Sequence, residues 1–324
     1  MLRATFELQP AGAIAALSDL GGTVTAATGA AGILTTLDVP DDVWGGDVNL
    51  LVAAIVAGEV MELRSLTRCR LVGLDVTDGL LPGPAFGASG ADGVGVIVKP
   101  PLGLSASQVA DVVRAAVAGG ATFVKDDETL GDRPSCPLAD RVRAVAEVLE
   151  PGVVYCANVT GPATALLDRA RTAVDLGATG LLVDPFAQGL DGLLALREAG
   201  MGVPIFAHRA GSGPWARNPD FGPTGAVLAR LLRLCGADYV VVGGFGGKLF
   251  ETDAEVRANL EATRGPCGRV RPAVAALGGG LGPTDVAAQL AMAGRGGLLV
   301  LLGSKAYTAP GGLEAAVREA ATAL

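Results

Sequence analysis

Cysteine is scarce in this chain and unpaired in pattern. Its five residues, at 69, 136, 156, 235 and 267, form no CxxC motif, and their odd number leaves one over. That argues against a disulfide framework and for reduced thiols in a cytoplasmic protein. Long apolar runs are missing: none reaches about 18 residues without a breaker, so no membrane span is expected. The N-terminus, Met1-Leu2-Arg3-Ala4-Thr5-Phe6-Glu7, lacks the apolar core of a signal peptide. Basic residues are in deficit, 25 Lys and Arg against 33 Asp and Glu, for a net charge of −8. This argues against nucleic acid as a partner but leaves a local site for a phosphorylated small molecule open. Histidine is reduced to one residue, His208, so any imidazole chemistry falls to it. There is no low-complexity tail and no helical repeat of fixed period.

Glycine is abundant, with 48 residues in a chain that is half hydrophobic and only 4% aromatic. Many tight turns around a large core of small aliphatic side chains are expected. The 324 residues suit a barrel with an appended small domain.

Residues 1–90 read as a small α+β domain. Strands are expected over Arg3–Leu8, Ile33–Val39 and Cys69–Val76. Apolar residues at helical spacing (Leu50, Leu51, Ala54, Ile55, Val56) predict a helix from Asp47 to about Arg64. The cluster Leu81-Pro82-Gly83-Pro84, with Gly87 and Gly90, marks the boundary. Over 91–324 the pattern alternates strand, loop and helix. Strands are predicted at Val94–Val98, Ala121–Val124, Gly152–Ala157, Gly180–Val183, Val203–Ala207, Tyr239–Val242, Pro272–Leu277 and Leu298–Leu302. They recur roughly every 23 to 36 residues, the size of one βα unit. Eight such units predict an α/β fold of the (β/α)8 TIM barrel type. A doubly wound open sheet is the alternative, although no GxGxxG follows the first strand.

Polar residues follow the strand ends, where a barrel carries its active site: Lys99, Lys125, Asn158, Asp184, His208 with Arg209, Lys248, Gly278–Gly280, and Gly303 with Ser304. The densest group is Phe123-Val124-Lys125-Asp126-Asp127-Glu128. At a period of two, Lys125 and Asp127 point the same way, and Glu128 joins them if the chain turns at Thr129–Gly131. Two carboxylates in one concave spot require a cation. That cation is either a hard divalent ion such as Mg²⁺ or Lys125 itself in a salt bridge.

Together with Val98-Lys99-Pro100-Pro101-Leu102-Gly103-Leu104-Ser105 and Gly119-Gly120, this group resembles the RuBisCO large chain and the RuBisCO-like proteins, whose pattern is a lysine-proline-lysine run, Leu-Gly-Leu-Ser, Gly-Gly and Phe-x-Lys-Asp-Asp-Glu. The resemblance is strong over 94–130, moderate over 204–250 and 272–312, and poor before residue 45. It implies that Lys125 takes up CO₂ as a carbamate and, with Asp127 and Glu128, holds Mg²⁺. It also implies that Lys99 moves protons next to a carbonyl, and that His208 shuttles a proton or bonds a substrate hydroxyl. Arg209 is then a fork for phosphate or carboxylate. Lys248, in Gly243-Gly244-Phe245-Gly246-Gly247-Lys248, closes over the substrate. Gly279, Gly280, Gly303 and Ser304 cradle a phosphate. Glu59 falls where the family's first domain reaches across a homodimer, so an intersubunit site in a dimer or larger homo-oligomer is implied.

The chain also departs from the RuBisCO pattern. Pro101 replaces the second lysine, the histidine before the Lys248 loop is missing, and Leu277 or Gly278 stands where the family has a serine. One of two phosphate sites is thereby stripped. A RuBisCO-like enzyme, not a RuBisCO, is expected. Its implied activity is Mg²⁺-dependent enolisation or isomerisation of a singly phosphorylated ketose such as 5-methylthioribulose phosphate, without net CO₂ fixation. A decarboxylase or transcarboxylase of a 3-oxo sugar acid, such as 3-oxo-isoapionate or its phosphate, is the alternative. A barrel that only binds a ligand is the second alternative.

Overall fold

The computed structural model describes residues 1–10, 15–18, 20, 22–29, 32–77, 79–88 and 90–324. The first sheet is built from β1 (Leu2–Gln9), β2 (Thr23–Gly29), β3 (Gly32–Val39) and β4 (Arg68–Val76). Strand β1 lies between β3 and β4, antiparallel to both. Its alternation puts Leu2, Ala4, Phe6 and Leu8 in the core, while Arg3 stays outside.

The helix predicted over Asp47–Arg64 is broken. A short α-helix, Val48–Leu51, runs into a π turn, Val52–Val56, and a 3-10 turn, Glu59–Glu62. The wider turn lets the adjacent residues Ile55 and Val56 both enter the core. Gly58 then ends the segment, because a Cβ there would lie 2.1 Å from the Ala54 carbonyl oxygen.

The second sheet closes into an all-parallel barrel. Its strands, in chain order, are β5 (Gly93–Ile97), β6 (Phe123–Lys125), β7 (Val154–Asn158), β8 (Gly180–Val183), β9 (Ile205–Ala207), β11 (Tyr239–Gly243), β12 (Val274–Gly278) and β13 (Leu298–Leu302). Pairing of β11 with β9 and of β13 with β5 completes the circle, which excludes the open doubly wound sheet. All eight predicted strands are present. Several end later than read from sequence, so Lys125 and Asn158 are the last residues of their strands instead of the first residues after them. Beneath the rim, Phe123, Phe206 and Tyr239 pack with centroids 4.9 to 6.1 Å apart and fill the barrel with Leu182, Leu299 and Leu301.

Two strands were not anticipated. Strand β2 is rich in Thr and Ala and offers no large-apolar alternation. Strand β10 (Phe221–Pro223) leaves the barrel after β9 and adds to the first sheet, parallel to β4. Arg68 joins the two by donating to Glu7 (2.6 Å) and Asp220 (2.7 Å). Among the described residues, no helix is long and apolar enough to cross a membrane.

Candidate active site

The β strands deliver Lys99, Glu128, His208, Arg209, Lys248, Gly279, Gly280, Gly303 and Ser304 to one cavity of about 760 Å³ at the C-terminal mouth of the barrel. This volume suits a small-molecule ligand. Lys125 and Asp127 lie just under its floor, 0% and 1% exposed. Glu59 is exposed on the first domain and is not part of this cavity.

The floor is a set of charge pairs. Lys99 Nζ donates to Asp127 Oδ2, and Thr129 donates to Asp127 Oδ1 from its backbone N (2.9 Å) and its hydroxyl (2.7 Å). Burial pushes the Asp127 carboxyl up, but the hydrogen bonds from Lys99 and Thr129 outweigh it and hold the group below its ordinary value. Lys125 Nζ donates to the Asp126 carbonyl (2.8 Å) and to Glu128 Oε2 (3.4 Å), and sits 5.7 Å from the Phe206 ring. Burial likewise raises the Glu128 carboxyl; His208 and Lys125 pull it lower than its ordinary value against the opposing effect of Asp127. The two acids are thus each balanced by an ammonium group.

Asp126, the third carboxylate of the motif, faces away from the cavity. It accepts from Arg141 Nε (3.0 Å), the Tyr155 hydroxyl (2.8 Å) and the Asn158 backbone N (2.9 Å). Asn158 Nδ2 in turn donates to the carbonyls of Asp127 (3.1 Å) and Glu128 (2.8 Å). This buried network fixes the turn that carries the two floor acids. Tyr307 does the same for Lys99: its hydroxyl accepts the Lys99 N–H (3.1 Å) and donates to the Ile97 carbonyl (2.7 Å).

His208 lies between two acids, with Nε2 3.5 Å from Glu128 Oε2 and Nδ1 3.1 Å from Asp184 Oδ1. Nδ1 accepts the Ala210 N–H (3.1 Å). Nδ1 thus faces both the Ala210 N–H and the buried Asp184 Oδ1, an oxygen with no other hydrogen-bond partner among the described residues. Arg209 is paired with Glu251.

The loop after β11 folds onto the cavity wall. Gln289 exchanges two 2.9 Å bonds with the backbone of Phe245, and the Lys248 N–H donates to the Gly279 carbonyl (2.8 Å). Close approach needs glycine here: a Cβ on Gly247 would lie 2.9 Å from the carbonyl oxygens of Gly244 and Gly279. Gly279 and Gly280 both take positive φ, 102° and 87°.

Sequence reasoning missed Asp285 and Lys305, which pair at 3.2 Å on the cavity wall, as well as Glu251, Phe250 and the anchoring Tyr307. Their residue types are ordinary and they match no spacing rule. For Phe250 and Glu251 the only signal was their place two and three residues after Lys248 in the glycine-rich loop, and it is weak.

Among the described residues, no three His, Cys, Asp or Glu side chains gather to hold a metal. Asp127 and Glu128 give two carboxylate donors, and Lys125, which reaches Glu128 Oε2 at 3.4 Å, would add a third oxygen donor only if carbamylated. A carbamate there would replace a buried cation by an anion and leave three negative groups against Lys99. That donor set fits a hard divalent cation.

The model of the ribulose bisphosphate carboxylase large chain, catalytic domain, matches residues 85–267, more than half of the chain. The chain belongs to the RuBisCO large-chain family. It is a RuBisCO-like protein by its relatives. It is 33% identical over 259 residues to the 3-oxo-isoapionate-4-phosphate transcarboxylase/hydrolase of Xanthobacter autotrophicus, covering 73% of this chain and 61% of that one. It is 39% identical over 178 residues to the 2,3-diketo-5-methylthiopentyl-1-phosphate enolase of Geobacillus kaustophilus, covering 49% of this chain and 43% of that one. This RuBisCO-like chain therefore spans less than two thirds of either relative's length. A RuBisCO-like protein from Burkholderia fungorum shares its fold with a TM-score of 0.89 at 23% identity, over 99% of this chain and 93% of that one. The RuBisCO of Pyrococcus horikoshii OT3 does so with a TM-score of 0.90 at 22% identity, over 99% and 87%.

Proposed function

We propose that this RuBisCO-like protein is an enzyme that removes a proton beside a ketone in a singly phosphorylated, sugar-like substrate and returns it elsewhere, without net CO₂ fixation. The observation that carries this reading is the convergence on one cavity of Lys99, Glu128, Lys248 and the glycines after β12 and β13, with Asp127 paired to Lys99 just beneath it. Asp127, Glu128 and a carbamate on Lys125 would hold Mg²⁺, which as a Lewis acid polarises a substrate carbonyl and acidifies the neighbouring C–H.

Lys99 is the base in this scheme. Its ammonium group, paired with Asp127 in the structure, first loses a proton to solvent; the neutral amine then accepts the carbon-bound proton and re-forms the Asp127 pair. Lys248, exposed on the cavity wall and free of ion pairs among the described residues, offsets negative charge developing on the substrate oxygen. His208 carries the proton back through Nε2. Gly279, Gly280, Gly303 and Ser304 enclose the phosphate. Glu59 would reach a cavity only from a second subunit of a homodimer.

The names of both relatives describe a compound with one phosphate, consistent with the missing serine and histidine. A second reading, decarboxylation of a phosphorylated 3-oxo sugar acid through the same enolate, is favoured by the 259-residue similarity to the Xanthobacter enzyme. In that case Lys248 holds the leaving carboxylate. The two are separated by offering 2,3-diketo-5-methylthiopentyl-1-phosphate and 3-oxo-isoapionate-4-phosphate in D₂O, with Mg²⁺ and bicarbonate. Deuterium uptake and enolisation of the first without CO₂ release is the expected result. CO₂ release from the second alone selects the runner-up. No turnover of either would reject both.

A further inference from the structure

The cavity is rich in cations, yet nearly all are already neutralised. Lys99 is paired with Asp127, Lys305 with Asp285 and Arg209 with Glu251. Among the described residues, Lys248 is the one lysine or arginine of the cavity wall without an ion pair.

The Arg209 pair differs in kind from that of Lys305. Lys305 and Asp285 are 62% and 35% exposed, so water screens them and a substrate anion can compete. Arg209 is 14% exposed, and Glu251 only 2%. The guanidinium also lies over the Phe250 ring, 5.7 Å from its centroid. Asn259 Nδ2 approaches Glu251 Oε1 at 3.5 Å. Glu251 Oε2 is buried with no hydrogen-bond partner among the described residues. An anion arriving at Arg209 therefore meets a guanidinium whose charge is already cancelled, beside a carboxylate that no other group neutralises. Binding it would mean bringing two anions together in a site with little water.

Resting on the reading of this cavity as a sugar-phosphate site, we propose that Glu251 is a specificity-determining residue. It withdraws Arg209 from anion binding, so the Arg209 wall receives an uncharged substrate end and the cavity takes one phosphate, not two. Arg209 then contributes a flat face over Phe250 and remaining N–H donors for hydroxyl or thioether-sized groups.

The test is calorimetric titration of the full chain with inorganic phosphate, comparing wild type with Glu251→Gln. Glutamine keeps the shape and an acceptor for Arg209 but removes the charge. One additional phosphate site per chain, or affinity tighter by about tenfold, is expected in the variant. Adding Arg209→Met should abolish the gain. An unchanged titration in Glu251→Gln overturns the proposal, as does a gain that survives Arg209→Met. Should Glu251→Gln not fold, judged by its melting transition, the wild type decides. A ketose bisphosphate should bind it within about threefold of the matching monophosphate, whereas binding about 100-fold tighter contradicts the proposal. These readouts need no turnover, so a failure of the proposed reaction leaves them intact and distinguishable.

Discussion

The first sheet and the barrel mouth use the same ion-pair chemistry in opposite settings. On the sheet, Arg3 donates to Asp38 across β1 and β3 at 2.7 Å while half exposed, and Arg230 meets Asp75 at 3.0 Å with the acid 67% exposed. At the mouth, Arg141 and Asp126 pair at 3.0 Å with neither side chain exposed at all. Water already stabilises the first kind, so such pairs add little and mainly keep the outer face of the sheet polar. The second kind carries a desolvation cost, which is offset only if every polar atom is satisfied. Asp126 meets that condition with three donors. The pairs that face the cavity do not: two of the orphaned buried atoms, Asp184 Oδ1 and Glu251 Oε2, are carboxylate oxygens at this mouth. The scaffold acid under the site is fully satisfied, whereas Asp184 and Glu251 beside the cavity each keep one buried oxygen without a partner.

Breaking the scaffold should have the largest effect on stability. Arg141→Met leaves Asp126 buried with an uncompensated charge and should cost about 3–5 kcal/mol in denaturant unfolding. A loss under about 1 kcal/mol would place this pair with the surface ones.

The legibility of the chain follows the same division. The eight barrel strands could be read because each βα unit carries its own apolar run and its own glycine punctuation. The Lys-Asp-Asp-Glu group could be read because it is contiguous. Sequence gave no way to see that Asp126 turns inward while its neighbours turn toward the cavity. That depends on Arg141 and Tyr155, which reach it from a following helix and strand. Glu251 was equally hidden, since its meaning depends on Arg209, which lies on a different strand end. Strand β10 exists only because β4 is there to pair with it. The break at Gly58 could have been suspected from the glycine, but the π turn before it could not.

At the small end of the comparison, Arg3→Ala removes an exposed pair and should leave the denaturant midpoint nearly unchanged, with the effect shrinking further at high salt. A large fall in that midpoint would show that the sheet, too, depends on its charges and would dissolve the contrast between the two regions.

The central claim is that Lys125, converted from cation to carbamate, joins Asp127 and Glu128 in holding a divalent ion at the barrel mouth. Its most direct test is turnover of the enolisable keto phosphate after chelation, followed by addition of Mg²⁺ with bicarbonate, in wild type and in Asp127→Asn. Loss of activity on chelation, recovery only when metal and bicarbonate are both restored, and no recovery in the variant are expected. Full-speed turnover by the chelated wild type would contradict the account.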